Sequence, residues 1–488
     1  MTRRLGPLPR PIVVFSLAVG LSVAALAEQP SHRPLGPLPA AASSRVPDLA
    51  TVPGEDWAAF LGPTGNGRSA ARGITAPWPA AGPRVEWHCE MGLGYCAPAV
   101  ALGRLLAFDR IGQHIRLRCL DAETGAKLWE ERSPTDYDDI IGYDGGPRAA
   151  PVIAGDRVIT FGPEGRLECR SLADGSSIWQ VDTAAAYHVV QNFFGVGTAP
   201  LVVDVEGGPV VIVQVGGSRK GTAPPARERL DLVKGFDSGL VAFDFATGRE
   251  RWRCSDQLAS YSAPVLATIA GRPRLLAWMR DDFLVVDPAS GELVGRFRWR
   301  ADDVFTAVCA SPVAAGDEVL LTECYGPGSV LLDLSRGAPR PLRRDPPRAR
   351  PAQALKAHWG TPVLHDGHVY GASGRHAGDA VVACVEWKTG TVTWAEGGLG
   401  RASMVLVDGH LLVLGEFGDL VLVKATPERY TEVSRARLVT VDGARRQELL
   451  APPCWAAPVI ARGRWYVRGQ DRLVCLDLGG RPAPAQGK

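Results

Sequence analysis

The chain has 488 residues, 54 of them basic and 52 acidic, for a net charge of +2. That balance argues against a protein held on nucleic acid by a broad positive face. Hydrophobic residues at 46% and charged residues at 22% are ordinary for a globular protein, and 56 Gly with 39 Pro point to many short strands joined by turns.

The N-terminus reads as an export signal. Arg3, Arg4 and Arg10 flank the start of an uncharged apolar run of 16 residues, 12–27. The run ends in Ala25, Leu26 and Ala27, the small-x-small pattern that a signal peptidase accepts, so cleavage is expected after Ala27. A spanning helix needs ~20 residues, which leaves an uncleaved anchor as the other reading. No cysteine follows the run to mark lipid attachment, and no later segment is long and apolar enough to span a bilayer. The mature protein is expected in the periplasm or outside the cell, as a monomer. Residues 28–54, rich in Pro, Ala and Ser, read as a flexible linker, and residues 481–488 as a disordered tail.

Between them, residues 55–480 repeat. A small residue followed by Pro recurs at Ala97-Pro98, Ala150-Pro151, Ala199-Pro200, Ala263-Pro264, Ser311-Pro312, Thr361-Pro362 and Ala457-Pro458, with a degenerate copy at Ser403-Met404. The spacings are 53, 49, 64, 48, 50, 42 and 54 residues, a period suited to a four-stranded propeller blade. Each copy runs on through a first strand, a tight Gly or Asp hairpin, a second strand, and an apolar third strand ending in an acid. A turn and a Trp follow: Asp121, Thr124, Gly125, Trp129; Asp244, Thr247, Gly248, Trp252; Glu386, Thr389, Gly390, Trp394; and Asp174, Gly175, Trp179. The acid can accept turn amide hydrogens, the Gly takes a left-handed conformation, and the Trp begins an outer strand that can wedge between blades. The copies ending at Gly291 and Gly337 lack their Trp.

This D-x-x-T-G-x-x-x-W pattern resembles the PQQ-like propeller repeat shared by quinoprotein dehydrogenases and the BamB assembly factor. The segment from Trp57 through Phe60, Gly67 and Ser69 resembles one that precedes the propeller in many secreted planctomycete proteins of that group. The resemblance implies an all-β fold with eight four-stranded antiparallel blades. Seven is the alternative, because residues 402–425 are degenerate. The last copy supplies only three strands, so its outer strand is expected from Val85, Glu86 and Trp87, closing the ring.

Ten cysteines in an exported chain would ordinarily suggest disulfides. Here Cys119, Cys169, Cys384 and Cys475 occupy equivalent positions in different repeats and read as buried core residues, with a Cys309–Cys324 bridge as one open pairing. No CxxC, HExxH or His-x-His spacing supports a metal site.

Strands within a blade alternate direction, so the loops before strand one and between strands two and three share a face. The long connections fall there, at 131–148, 182–198, 217–236, 300–310, 343–360 and 434–455, and long loops on a rigid scaffold are where function concentrates. Residues just before each small-Pro pair should ring the channel: Tyr95, Arg148, Phe194, Tyr261, His358, Trp359, Arg401 and Trp455, with Asn192 close by. This aromatic and cationic set could grip a planar or anionic group, or could merely plug the axis. The glycine-rich 142–148 stretch looks shaped for a bend. The five arginines of residues 340–350 read as a solvated loop, or more sharply as a docking site for an acidic partner.

Three functions stay open: a non-catalytic scaffold presenting its loop face to envelope or secreted proteins, a PQQ- and calcium-dependent dehydrogenase, and a small-molecule or glycan binder. The scaffold is the leading expectation, with no catalytic residue and no cofactor assigned. The chain lacks the adjacent Cys-Cys pair that many quinoprotein alcohol dehydrogenases carry, and Asn192, Asp302 and Asp303 are the nearest candidates for calcium ligands.

Overall fold

The carboxylate at the end of each third strand organises the turn that follows it. Asp121 Oδ1 accepts hydrogen bonds from the Thr124 amide and hydroxyl, both at 2.8 Å, while Gly125 sits at φ 72°. Asp244 with Thr247 and Glu386 with Thr389 repeat the arrangement. The Trp four residues on does not cover its own turn. It lies over the glycine of the next blade and donates its indole hydrogen to that blade's turn. Trp87 bonds to Ala122 O at 3.1 Å, Trp129 to Leu172 O at 3.0 Å, Trp179 to Phe245 O at 3.0 Å, and Trp252 to Pro288 O at 3.0 Å. Trp394 reaches Thr426 O in the same sense, at 2.8 Å. Across the sheet from these rings stand small residues, Cys475 opposite Trp87, Cys119 opposite Trp129 and Ala242 opposite Trp252. A larger side chain there would push the indole out of the joint.

The computed structural model describes residues 49–479 except Pro53, Pro225, Arg227, Gly443 and Ala444. The expected signal and tail, and most of the 28–54 segment, lie outside the described residues. Eight four-stranded antiparallel blades form a β-propeller, the sheet of the seventh carrying a fifth, parallel strand, Arg68–Ser69. Blade 1 begins at Ala99, blade 2 at Val152, blade 3 at Leu201, blade 4 at Val265, blade 5 at Val313, blade 6 at Val363, blade 7 at Ser403 and blade 8 at Val459. The degenerate copy at Ser403 is a complete blade. Closure occurs where the repeat count requires it: Val85–Glu90 pairs antiparallel with Arg472–Asp477, Trp87 facing Cys475.

Two joints lack the Trp and are filled differently. In blade 4 the position falls on Gly295, whose bare Cα admits the blade 5 turn; a Cβ there would stand 2.6 Å from Pro339. In blade 5, Arg343 takes the indole's place. Its guanidinium lies over Gly390 of blade 6 and donates to Trp387 O at 3.3 Å. The arginine-rich 340–350 stretch is therefore not a loop throughout: Arg340–Arg344 is the outer strand of blade 5, and Arg350–Ala352 is a short helical turn. Arg340 pairs with Asp333 at 2.5 Å, Arg348 with Asp302 at 3.5 Å, and Arg350 with Asp379 at 3.6 Å.

Gly125 gives a direct test of the joints. A Cβ there would meet the Trp87 ring at 2.7 Å and would hold an L-residue at positive φ. Gly125→Ala is expected to cost about 2 kcal/mol or more, read as a lowered urea midpoint at unchanged slope. Gly271→Ala, at a hairpin tip with φ 73° but nothing within 4 Å, should lose only the backbone part.

Candidate functional site

The segment that precedes the ring forms the floor of the site. It enters against blade 8, where Arg462 N donates to Glu55 O, and blade 1, where Trp57 bridges Val100. Ile153 of blade 2 then donates to Ala58 O, and Arg68–Ser69 pairs in parallel with Leu406 and Val407 of blade 7. Between these anchors Phe60 and Leu61 cross the axis and close the channel on the side of the first hairpins. Above them a cavity of about 210 Å³ opens to the loop face. The repeated small residues, among them Ala97, Ala150, Ala199, Ala263, Thr361, Ser403 and Ala457, form its walls, and small size there keeps the axis open.

The rim side chains are placed by polar residues at the tops of second strands, each of which pins a neighbouring connection. Arg468 Nη1 donates to Cys96 O at 3.1 Å and fixes the backbone after Tyr95. Gln214 donates to Ser262 O at 2.8 Å and accepts from Ser260 N at 2.9 Å, holding Tyr261 between them. Thr322 donates to Leu355 O at 2.9 Å and accepts from Ala357 N at 3.1 Å, just before His358 and Trp359. Glu416 accepts from Arg401 N at 2.9 Å, from the Arg401 guanidinium, and from Trp455 Nε1 at 3.0 Å.

Tyr95, Arg148, Phe194, Tyr261, His358, Trp359, Arg401 and Trp455 all line this cavity. Asn192 does not: its amide donates to Ala259 O at 3.1 Å and its carbonyl accepts from Phe193 N, a structural role in a loop beside the cavity. The aromatic rings touch in sequence around the mouth. Tyr261 meets Phe194 at 5.5 Å, Phe194 meets Tyr143 at 5.8 Å, Tyr143 meets Trp455 at 6.0 Å and Trp455 meets Trp359 at 4.7 Å. Tyr143 belongs to the stretch read as a mere bend, and it is the most exposed ring of the set at 59%. Tyr325, which the sequence did not point to, also faces the cavity, as do Cys309, expected only as a candidate disulfide partner, and Phe60 and Leu61, expected only as part of the segment ahead of the ring. The floor segment lies outside the repeat register, and its sequence signal was the resemblance of Trp57 through Ser69 to a segment that precedes such propellers.

Both arginines are already neutralised. Arg148 pairs with Asp139 at 2.8 Å and stands 5.3 Å from the Phe194 ring centre; Arg401 pairs with Glu416 and stands 4.6 Å from Trp359 and 5.1 Å from Trp455. They brace the rings more than they offer free charge. Burial pushes the Glu416 carboxyl up, but the hydrogen bonds from Arg401 and Trp455 win and hold it below the ordinary range. Burial and the charges of Arg401 and Arg375 push His358 down to about 3, so the imidazole is neutral, with Nε2 at 2.9 Å from the Tyr325 hydroxyl. Burial, with the nearby Asp144 charge, pushes Tyr95 up to about 12. His358 Nδ1 and Trp359 Nε1 are buried without a protein hydrogen-bond partner. All ten cysteines are free thiols, so Cys309 and Cys324 are not bridged. Burial pushes the Cys309 thiol up to about 12, which keeps it protonated.

These features define an eight-bladed propeller of PQQ-like repeats with an aromatic cup at the centre of its loop face. The family model for outer membrane protein assembly factor BamB matches residues 113–396, more than half of the chain, and the chain belongs to that family. Among solved structures, BamB from Moraxella catarrhalis is similar at TM-score 0.52 and 13% identity, over 82% of this chain and 100% of that one. A quinohemoprotein alcohol dehydrogenase from Comamonas testosteroni matches at TM-score 0.49 and 13% identity, over 90% of this chain and 85% of that one. At such identities the likeness is one of fold. No curated protein sequence matches the chain significantly.

The quinone and calcium raised by the repeat do not fit the residues present. Asn192 is committed to backbone, Asp302 is exposed and faces Arg348, and Asp303 caps its own loop by accepting from Phe305 N. The three do not converge on the cavity. Among the described residues no group of three or more His, Cys, Asp or Glu could hold a metal ion. An anionic quinone would also find both arginines of the cup engaged by carboxylates.

Proposed function

We propose that this protein is an exported, non-catalytic scaffold whose loop face docks an envelope or secreted partner protein. The observation that carries the reading is where the exposed aromatic side chains lie. Tyr143, Phe236, Phe305 and Phe417 all stand on loop-face connections, whereas exposed aliphatic side chains such as Leu93 and Ile141 on that face have counterparts elsewhere, Leu102 and Leu266 among them. Two of them, Phe305 and Tyr143, join the aromatic rim: Phe305 stacks on Phe193 at 5.5 Å, Phe193 meets Phe194 at 6.4 Å, and Phe194 meets Tyr143. A continuous aromatic surface on rigid blades is what a protein interface uses at its centre. The apolar run 12–27 and the small-x-small site before residue 28 support delivery across the inner membrane, after which the chain works in the periplasm or beyond. No helix among the described residues is long and apolar enough to cross a membrane.

A photo-crosslinking residue in place of Tyr143 or Phe417 should give the same discrete protein adduct in intact cells. One in place of Leu102, exposed on the opposite face, should give none. Tyr143→Ala, with the crosslinker kept at Phe417, should lower adduct yield about tenfold. Adducts from Leu102 alone, or from none of the three, would remove the loop face as the docking surface.

A second reading, a small-molecule or glycan binder, is favoured by the cup itself. Its aromatic walls and the two unpartnered donors His358 Nδ1 and Trp359 Nε1 suit a flat, weakly polar ring.

A further inference from the structure

Beside the cup, between blades 3 and 4, an arginine is buried without a counter-charge. Arg280 follows the second strand of blade 4 and is 5% exposed. Its backbone amide donates to Leu258 O at 3.0 Å, but among the described residues no carboxylate lies within ion-pair distance of its guanidinium, and Nη2 has no hydrogen-bond partner. The acids nearest in charge are already spent: Asp281 pairs with Arg300 at 2.5 Å, and Asp231 with Arg229 at 2.7 Å. One aromatic face covers it, the Phe193 ring centre lying 5.8 Å from the guanidinium carbon.

Arg280 borders a separate void of about 30 Å³, lined also by Asn192, Gln214, Leu230, Leu258 and Ser260. The polar lining offers no negative charge. The Asn192 amide is committed to Ala259 O and Phe193 N, and the Gln214 amide to Ser262 O and Ser260 N. Such a volume holds about two water-sized particles. Water there would complete the hydrogen bonds of Nη2 but leave the charge unpaired, and a buried unpaired guanidinium is strongly unfavourable.

We propose that this void is a binding site for one small monovalent anion, a halide or a single carboxylate group, held by Arg280. The anion neutralises the guanidinium, and it ties the 189–196 connection, which carries Phe193 and Phe194, to blade 4. It thereby stiffens the aromatic rim whether the rim receives a protein or a small molecule.

The test uses the whole mature chain. Its melting temperature is followed as sodium gluconate is replaced by sodium chloride at constant ionic strength, with a parallel series in sodium formate. Saturable stabilisation of roughly 2–4 °C is expected in the wild type and none in Arg280→Met, which keeps the length of the stem. Chloride alone acting identifies a free halide site; formate alone acting identifies a carboxylate site. Crystals of the unaltered protein soaked in bromide should show an anomalous peak in contact with Arg280, and this readout stands if the variant fails to fold. Equal salt responses in wild type and variant, with only water beside Arg280 in the bromide crystal, would overturn the proposal.

Discussion

Arg464→Met is expected to lower stability by about 3–5 kcal/mol, because Arg464 is the charge that clasps the ring shut. Its guanidinium is buried and bridges three carboxylates from two blades: Glu86 at 2.6 Å and Asp477 at 3.0 Å in blade 8, and Glu123 in the turn after the third strand of blade 1. Glu86 lies on the early strand and Asp477 on the late one, so the side chain joins the two ends of the propeller to its first blade. Methionine keeps the apolar stem and removes only the charge. Glu86 and Glu123 would then lose the guanidinium that offsets their burial, and breaking one side of a buried ionic cluster costs far more than the cluster nets when intact. The control is Arg253→Met. Its partner Asp237 and Arg253 itself are about half exposed, and such surface pairs contribute less than about 1 kcal/mol. Urea unfolding of both variants decides the point. A loss below about 1 kcal/mol for Arg464→Met would show that Trp87 and strand pairing close the ring without the clasp.

The blades were legible because their signals are periodic and local. An acid, a Thr-Gly turn and a Trp at constant spacing report one physical joint several times over, so decay at two copies did not hide the ring. What replaced the lost Trp was not legible, since the compensation comes from other positions: a missing Cβ at Gly295, and Arg343 two residues past the expected indole. The same arginine explains why 340–350 looked like a solvated loop. Four of its charges do face outward pairs or solvent, and only the packing of Arg343 against Gly390 reveals an outer strand. The rim residues were readable from their offset to each small-Pro pair. Tyr143 and Tyr325 were not, because they belong to connections that differ in length from blade to blade. Phe60 and Leu61 carry no repeat offset at all, and their role follows from anchors on blades 1, 2, 7 and 8 that only the fold brings together.

The second large effect concerns Glu323, at the end of the second strand of blade 5. Burial pushes its carboxyl up to about 8, against the weaker pull of the Ala301 amide and the Arg300 charge. It lies close enough to Cys309, in the cavity wall, to raise that thiol further. Oε2 accepts from Ala301 N at 3.3 Å, and Oε1 has no hydrogen-bond partner. The folded protein thus keeps a proton that the unfolded chain releases near pH 4.5. Over that interval the native state binds more protons, so stability falls as pH rises and levels off above pH ~8. At about 1.4 kcal/mol per unit of displacement, the wild type should lose about 4 kcal/mol between pH 5 and pH 9 relative to Glu323→Gln. Glutamine preserves the acceptor for Ala301 and removes the ionisable proton, so the variant should be the more stable protein at pH 9 and nearly equal to wild type at pH 5. Denaturation midpoints across that range give the difference directly. Parallel curves would mean that Glu323 is ionised in the fold, with solvent or a cation reaching Oε1 behind the cavity wall.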